Sequence, residues 1–175
     1  RADALPVRAR KALLKFIRTK PLGAVGLAIV MGMTVLAVSA DFIAGYPLLN
    51  NYNALTAPPS MEHWFGTDDL GRDLWARIVF GARISLYVGF LSVAFGSGIG
   101  GSLGIIGAFY GRTVDNVIQR WVDAMMAFPS LILALTIVAT LGPGLDKVIF
   151  AIAIVQIPRA SRVVRSQALA IREMD

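Results

Sequence analysis

Four uncharged stretches alternate with polar connectors along the chain. Leu22 to Ala40 runs 19 residues without a charge. At helical rise that length covers about 30 Å, the hydrocarbon thickness of a bilayer, and predicts a first membrane-crossing helix. Ile84 to Gly111 is a 28-residue uncharged run framed by Arg83 and Arg112, long enough to cross with some tilt. Ala124 to Leu145 adds 22 residues between Asp123 and Asp146. Val148 to Pro158 gives only 11, a length that also fits a buried or re-entrant helix. It is read as a fourth span reaching Arg165, with Arg159 and Arg162 snorkelling to the interface. The predicted spans are residues 22–44, 84–111, 122–143 and 146–165, behind a basic segment at 1–21.

The connectors carry two further patterns. From Asp69 onward Leu70, Leu74 and Ile78 recur every four residues, and Asp68/Arg72 and Asp73/Arg77 place acid before base at the same spacing. This predicts an amphipathic helix over 68–82, capped by Thr67 or Asp68 and feeding through Gly81 into the second span. Arg8, Lys11, Lys15 and Arg18 are spaced like a basic helix lying in the headgroup layer, and equally like a positive tail without fixed structure.

Charge placement gives the orientation. Thirteen of the 17 Lys and Arg fall before the first span, between the second and third, or after the fourth. By the positive-inside rule those connectors and the N-terminus are cytoplasmic. The remaining four share the other side with Glu62, Asp68, Asp69, Asp73 and Asp146. The net charge of +6 is thereby accounted for without a nucleic-acid partner. A chain 56% hydrophobic and 16% charged also departs from soluble-domain composition. The absence of cysteine removes disulfides, thiolate nucleophiles and cysteine metal sites.

Candidate chemistry is sparse. Gly96-Ser97-Gly98-Ile99-Gly100-Gly101 spells a dinucleotide fingerprint but lies inside an apolar run with no strand before it. Ser92, Gly96, Gly100, Gly104 and Ala108 repeat every four residues and predict instead a small-residue face for helix packing. No phosphate-binding GxxxxGK[ST] loop occurs, so nothing visible in the chain hydrolyses ATP. His63 has no second imidazole to share a metal, and Asp68, Asp69 and Asp73 fit no calcium loop, so no metal, cofactor or catalytic residue is expected. Asp123 suits an ion or proton site at a span mouth, or a pair with Arg120 three residues back. Pro129 predicts a kink near Met125 and Met126, as a hinge or a packing adjustment.

The run from His63 through Gly66, Thr67, Asp68, Asp69, Gly71, Arg72, Asp73, Arg77, Gly81, Ala82 and Arg83 to Ser85-Leu86 resembles a family signature. It is that of the C-type permease subunits of dipeptide, oligopeptide and nickel ABC importers. Lys20 with Gly26-Leu27, Asp123 with Ala127-Phe128-Pro129-Ser130-Leu131, Gly142-Pro143-Gly144, Val164-Arg165-x-Gln167 and Arg172-Glu173 follow in the same order. Phe65, Ala76 and Ala40-Asp41-Phe42 depart from the usual pattern and bear on substrate rather than family.

The resemblance implies an all-α integral membrane protein, a polytopic helix bundle with four spans visible of an expected six, in the inner membrane of a prokaryote. It implies a non-enzymatic half-pore for peptides. Its partners would be a homologous permease, two ATP-hydrolysing subunits that bind ATP and magnesium, and an extracytoplasmic substrate-binding protein. The alternatives are a permease of the same fold for nickel chelates, glutathione-like compounds or other small solutes, which the resemblance also implies, and an ion-coupled transporter or channel fragment. By the same resemblance Arg165, Gln167, Arg172 and Glu173 approach the ATPase-docking loop, which with two further spans would follow Asp175, and Asp123, Phe128 and Pro129 mark a possible pathway or hinge.

Overall fold

The computed structural model describes residues 15–44 and 55–172. Residues 1–14, including Arg8 and Lys11 of the basic segment, and Glu173 lie outside them. Within the described residues the elements are helices: α1 (Pro21–Ile43), α2 (Leu74–Tyr110), α3 (Arg112–Met126), α4 (Ser130–Leu141) and α5 (Leu145–Arg172). By contact the chain divides into two units, one ending at Leu86 and the other beginning at Tyr87, and α2 runs through both.

In the first unit, Pro21 opens α1, where its missing N–H costs nothing. The helix is apolar on almost every side and exposes Leu22, Val38 and Phe42, as a lipid-facing helix must. Its one buried strip, Ala37 and Ala40, is made of small residues. There Ala40, Ala44, Ala76 and Val79 form a core with Leu36, Trp75 and Phe80 against its edge. Without large side chains between them, the two backbones come close enough for the Arg83 Nε–H to donate to the Ala37 carbonyl at 2.9 Å. The same guanidinium pairs with Asp41 at 3.0 Å, so both charges beside this span are partnered.

The expected helix over 68–82 needs correction. Residues 68–73 are a turn closed by a Thr67–Asp73 bridge, and the helix begins at Leu74. Gly66 and Gly71 take φ of 76° and 72°, left-handed backbone that ends any helix begun upstream. The cap is Asp73 rather than Thr67 or Asp68: its Oδ1 accepts from the Trp75 N–H at 2.8 Å. From Leu74 onward the lead-in and the second span are one 37-residue helix, and Gly81 passes through it without a break.

In the second unit α2 and α5 pack in parallel. The Ser92 hydroxyl donates to the Ile149 carbonyl at 3.2 Å. A Cβ placed on Gly96, Gly100 or Gly104 would collide with the carbonyl of Ala153, Ile157 or Ser161 respectively. Each rung is offset by the same 57 residues as Ser92 and Ile149. The four-residue glycine repeat thus meets a four-residue repeat of backbone on α5, the geometry in which small side chains allow helix axes to approach. Gly98 points into open space, and the fingerprint-like run is uninterrupted helix with no turn to offer a phosphate.

Pro129 does more than kink its span. Helix stops at Met126 and restarts at Ser130, and the two pieces are bent by 86°. Pro129 lacks the N–H that would continue α3, and its ring forces the preceding residue out of helical geometry. By length and composition two helices, α1 and α2, can cross a membrane, or three if α3 and α4 count as one broken span. The fourth expected span, 146–165, is not among them, because Arg159, Arg162 and Arg165 crowd the apolar part of α5.

Candidate functional site: signature loop, helix clamp and broken span

Backbone turns build the signature loop before charge holds it. Asp68 Oδ1 accepts from the N–H groups of Leu70 and Arg72, both at 2.9 Å. Its other oxygen accepts from Arg72 Nε at 2.9 Å and Arg77 Nη1 at 2.5 Å. The Arg72 N–H, helped by the Leu70 N–H and the Arg72 guanidinium against the opposing effect of burial, holds the Asp68 carboxyl down at about 2. Thr67 Oγ1 accepts from the Ala57 N–H at 2.8 Å. His63 Nδ1 lies 3.3 Å from Asp73 Oδ2. Of the two acid–base pairs expected from spacing, Asp68–Arg72 forms, whereas Arg77 turns to Asp68 because Asp73 is engaged in capping. Gly66, Thr67, Asp68, Gly71, Arg72, Asp73 and Arg77 are therefore one interlocked loop, while Gly81 and Arg83 lie further along α2.

The second site joins α3 to α5. Asp115 accepts from Arg165 through both oxygens, one of them 2.5 Å from Nε, and sits against Gly107, where a Cβ would be 2.9 Å from its Oδ1. Asp123 pairs with Arg162, not with Arg120. Arg172 donates from Nη1 to the Ala108 carbonyl at 2.8 Å. Sequence reasoning missed Asp115 altogether. Arg112 stands three residues before Asp115 on the same helix and offers an ordinary local pair, so nothing in the sequence points to Arg165.

The third site is the break itself. Phe128 and Pro129 line a cavity of about 250 Å³ with Met125, Met126, Pro158 and Arg159. Pro158 sits inside α5 and leaves the Ile154 carbonyl without its helical donor on that side. Gln167 lies on the last turns of α5, between Arg165 and Arg172. The structure brings Arg165 and Arg172 together on the side of α5 facing α2 and α3, so these two are packing residues as well as part of the approach to the chain end. Among the described residues no group of three His, Cys, Asp or Glu could hold a metal ion.

Comparison with known proteins places this arrangement. Residues 96–175 match the family described as binding-protein-dependent transport system inner membrane component. The dipeptide transport system permease protein DppC of Alkalihalophilus pseudofirmus is 46% identical over 91% of this chain and 53% of its own length. The glutathione transport system permease protein GsiD of Pectobacterium atrosepticum is 37% identical over 91% of this chain and 54% of its own. The probable D,D-dipeptide transport system permease protein DdpC of Escherichia coli is 36% identical over 92% and 54%. The chain spans about half the length of the curated relatives it matches. By its matched segment and by relatives that follow nearly all of its length, the chain belongs to the inner membrane components of binding-protein-dependent transport systems.

Proposed function

We propose that the chain forms part of one half of a translocation pathway that carries peptides across a prokaryotic inner membrane. It assembles with a homologous permease and is energised by two separate ATP-hydrolysing subunits. An extracytoplasmic binding protein supplies the substrate. The N-terminus is cytoplasmic, on the evidence of the Lys and Arg distribution. Peptide is favoured over nickel chelate because relatives 36–46% identical carry dipeptide or glutathione in their names.

The observation that carries the reading is the clamp between α5 and α3. The end of α5, by family resemblance, approaches the ATPase-docking loop. Arg165 and Arg162 tie that end to Asp115 and Asp123 on α3, and α3 leads directly into the break at 127–129. A displacement imposed on the end of α5 therefore reaches the broken span through two ion pairs rather than through a flexible loop. ATP binding would bias one of two bundle arrangements, and the clamp passes that bias to the pathway.

Parallel packing supports a four-span arrangement. Since α2 and α5 run in the same direction, residues 111–144 must return the chain by the length of α2 between Tyr110 and the level of Leu145, about 33 Å. That distance is a bilayer thickness, so the chain crosses back between α2 and α5, and α5 makes the fourth crossing.

The test is a charge swap in the assembled transporter. Arg165→Asp is expected to leave ATP hydrolysis running while peptide uptake falls, and Asp115→Arg combined with Arg165→Asp to restore uptake. Uptake unaffected by the single change, or unrestored by the double, would remove the clamp from the mechanism.

A further inference from the structure

The face of α3 turned away from α5 has no partner in the chain. Asp115, Val122 and Asp123 look toward α5, through two ion pairs and a buried valine. On another side Val114, Val117 and Trp121 fall within one stripe at helical spacing, and they are exposed: Val117 to 56% and Trp121 to 71%. Arg120 borders the stripe and Arg112 opens the helix. Neither makes an ion pair among the described residues, whereas Arg162 and Arg165 are both neutralised.

Two measurements give the direction of this helix. It is bent by 86° from α4, which is apolar on all sides and exposes Leu131, Ile132 and Leu135. The ion pairs say the same: from Asp115 to Asp123 α3 advances about 12 Å along its own axis. Its partners on α5 shift only from Arg165 to Arg162, about 4.5 Å along that helix. A helix that crosses its neighbours this steeply lies closer to the membrane plane than to the normal. The three-residue connectors at 127–129 and 142–144 together with the roughly 18 Å of α4 are long enough for the return crossing without help from α3.

From these observations we propose that α3 is an interfacial helix, lying in the bilayer surface with Val114, Val117 and Trp121 dipped below the headgroups and Arg112 and Arg120 bound to anionic lipid phosphates. An amphipathic helix with an indole on its apolar edge and cations on its polar side is built for that boundary, where hydrophobic area and anionic charge act together. The lipid surface is favoured over a protein partner by continuity, since the stripe leads into the exposed apolar residues of α4 across one three-residue break. The proposal requires only that α4 lie in the membrane, so its failure would leave the transport reading standing. If it holds, anionic lipid would bear on the clamp, because the same helix carries Asp115 and Asp123.

The test uses the whole protein in vesicles with Trp64 and Trp75 replaced by Phe, leaving Trp121 as the reporter. Its fluorescence is expected to be quenched at least about twofold more by lipids brominated near the headgroup than by lipids brominated near the chain end, and to be sheltered from aqueous iodide. Replacing phosphatidylglycerol by phosphatidylcholine, or Arg112 and Arg120 by Gln, is expected to increase iodide access. A Trp121 open to iodide and indifferent to brominated lipid would overturn the proposal. So would a Trp121 sheltered only when the ATP-hydrolysing subunits are added, which would mark a protein-binding face. Iodide access unchanged by both lipid exchange and Arg replacement would overturn the anionic-lipid part.

Discussion

Gly100 and Gly98 stand two residues apart on α2, and their replacement by Leu should have opposite consequences. A Cβ on Gly100 would lie 2.8 Å from the Ala160 Cβ and 3.1 Å from the Ile157 Cα, and closer still to the Ile157 carbonyl. Ordinary contact begins at 3.4 Å and the Ile157 carbonyl oxygen would be the nearest atom of all, so α5 must retreat by about 1 Å. A gap of that size forfeits up to about half of the dispersion attraction at the neighbouring rungs. Overpacking of this kind costs about 1–3 kcal/mol, and here the obstacle is backbone, which cannot swing aside. Gly98 meets nothing within 4 Å, so Leu there adds helix propensity, a gain of up to about 1 kcal/mol. The two variants should therefore differ by about 1–4 kcal/mol, or a factor of roughly 5 to 1,000 in the unfolding equilibrium. Unfolding of the purified protein in mixed micelles across a series of SDS mole fractions, followed by circular dichroism, measures that difference. Equal stability of the two variants would refute a backbone-to-backbone contact at Gly100.

The remaining predictions concern the signature loop and the break. Because the Asp68 carboxyl is depressed from 3.8 to about 2, its contribution to the loop is present in full above about pH 4 and lost as the pH falls toward 2. Hydrogen exchange at the Leu70 and Arg72 amides should accelerate over that window, and in Asp68→Asn the acceleration should be absent because the amides are already fast at neutral pH. Asp73→Ala removes the cap of α2 and should cost about 1 kcal/mol in local protection at the Trp75 and Ala76 amides, leaving Val79 unaffected. Pro129→Ala restores a backbone donor at the break. The distance between spin labels at Thr113 and Val138 should then lengthen as the 86° bend relaxes, and an unchanged distance would place the cause of the bend elsewhere.

The sequence made short-range order legible and left long-range order hidden. The glycine repeat of α2 was readable because one periodicity at one spacing already specifies a face, though not what fills it. The first span was readable because 19 uncharged residues admit few other structures. The start of α2 was misplaced because acid–base spacing at four residues is shared by a helix and by the Asp68 turn, and only the left-handed backbone at Gly66 and Gly71 separates them. Asp123 was assigned between an ion site and Arg120, whereas its partner lies 39 residues away on another helix. Asp115 and Arg165, 50 residues apart, were invisible for the same reason. The Pro129 kink was foreseen but not its size, which depends on how α5 receives both halves.

The account turns on the proposal that this chain forms part of a permease that carries peptides and is energised by separate ATP-hydrolysing subunits. It is tested most directly by uptake of a labelled dipeptide into vesicles holding the permease assembled with its ATP-hydrolysing subunits and supplied with the binding protein. Accumulation should require ATP hydrolysis, should be competed by unlabelled peptide, and should persist when proton and sodium gradients are collapsed. Uptake driven by an ion gradient without ATP, or a system that carries nickel chelate and no peptide, would contradict it.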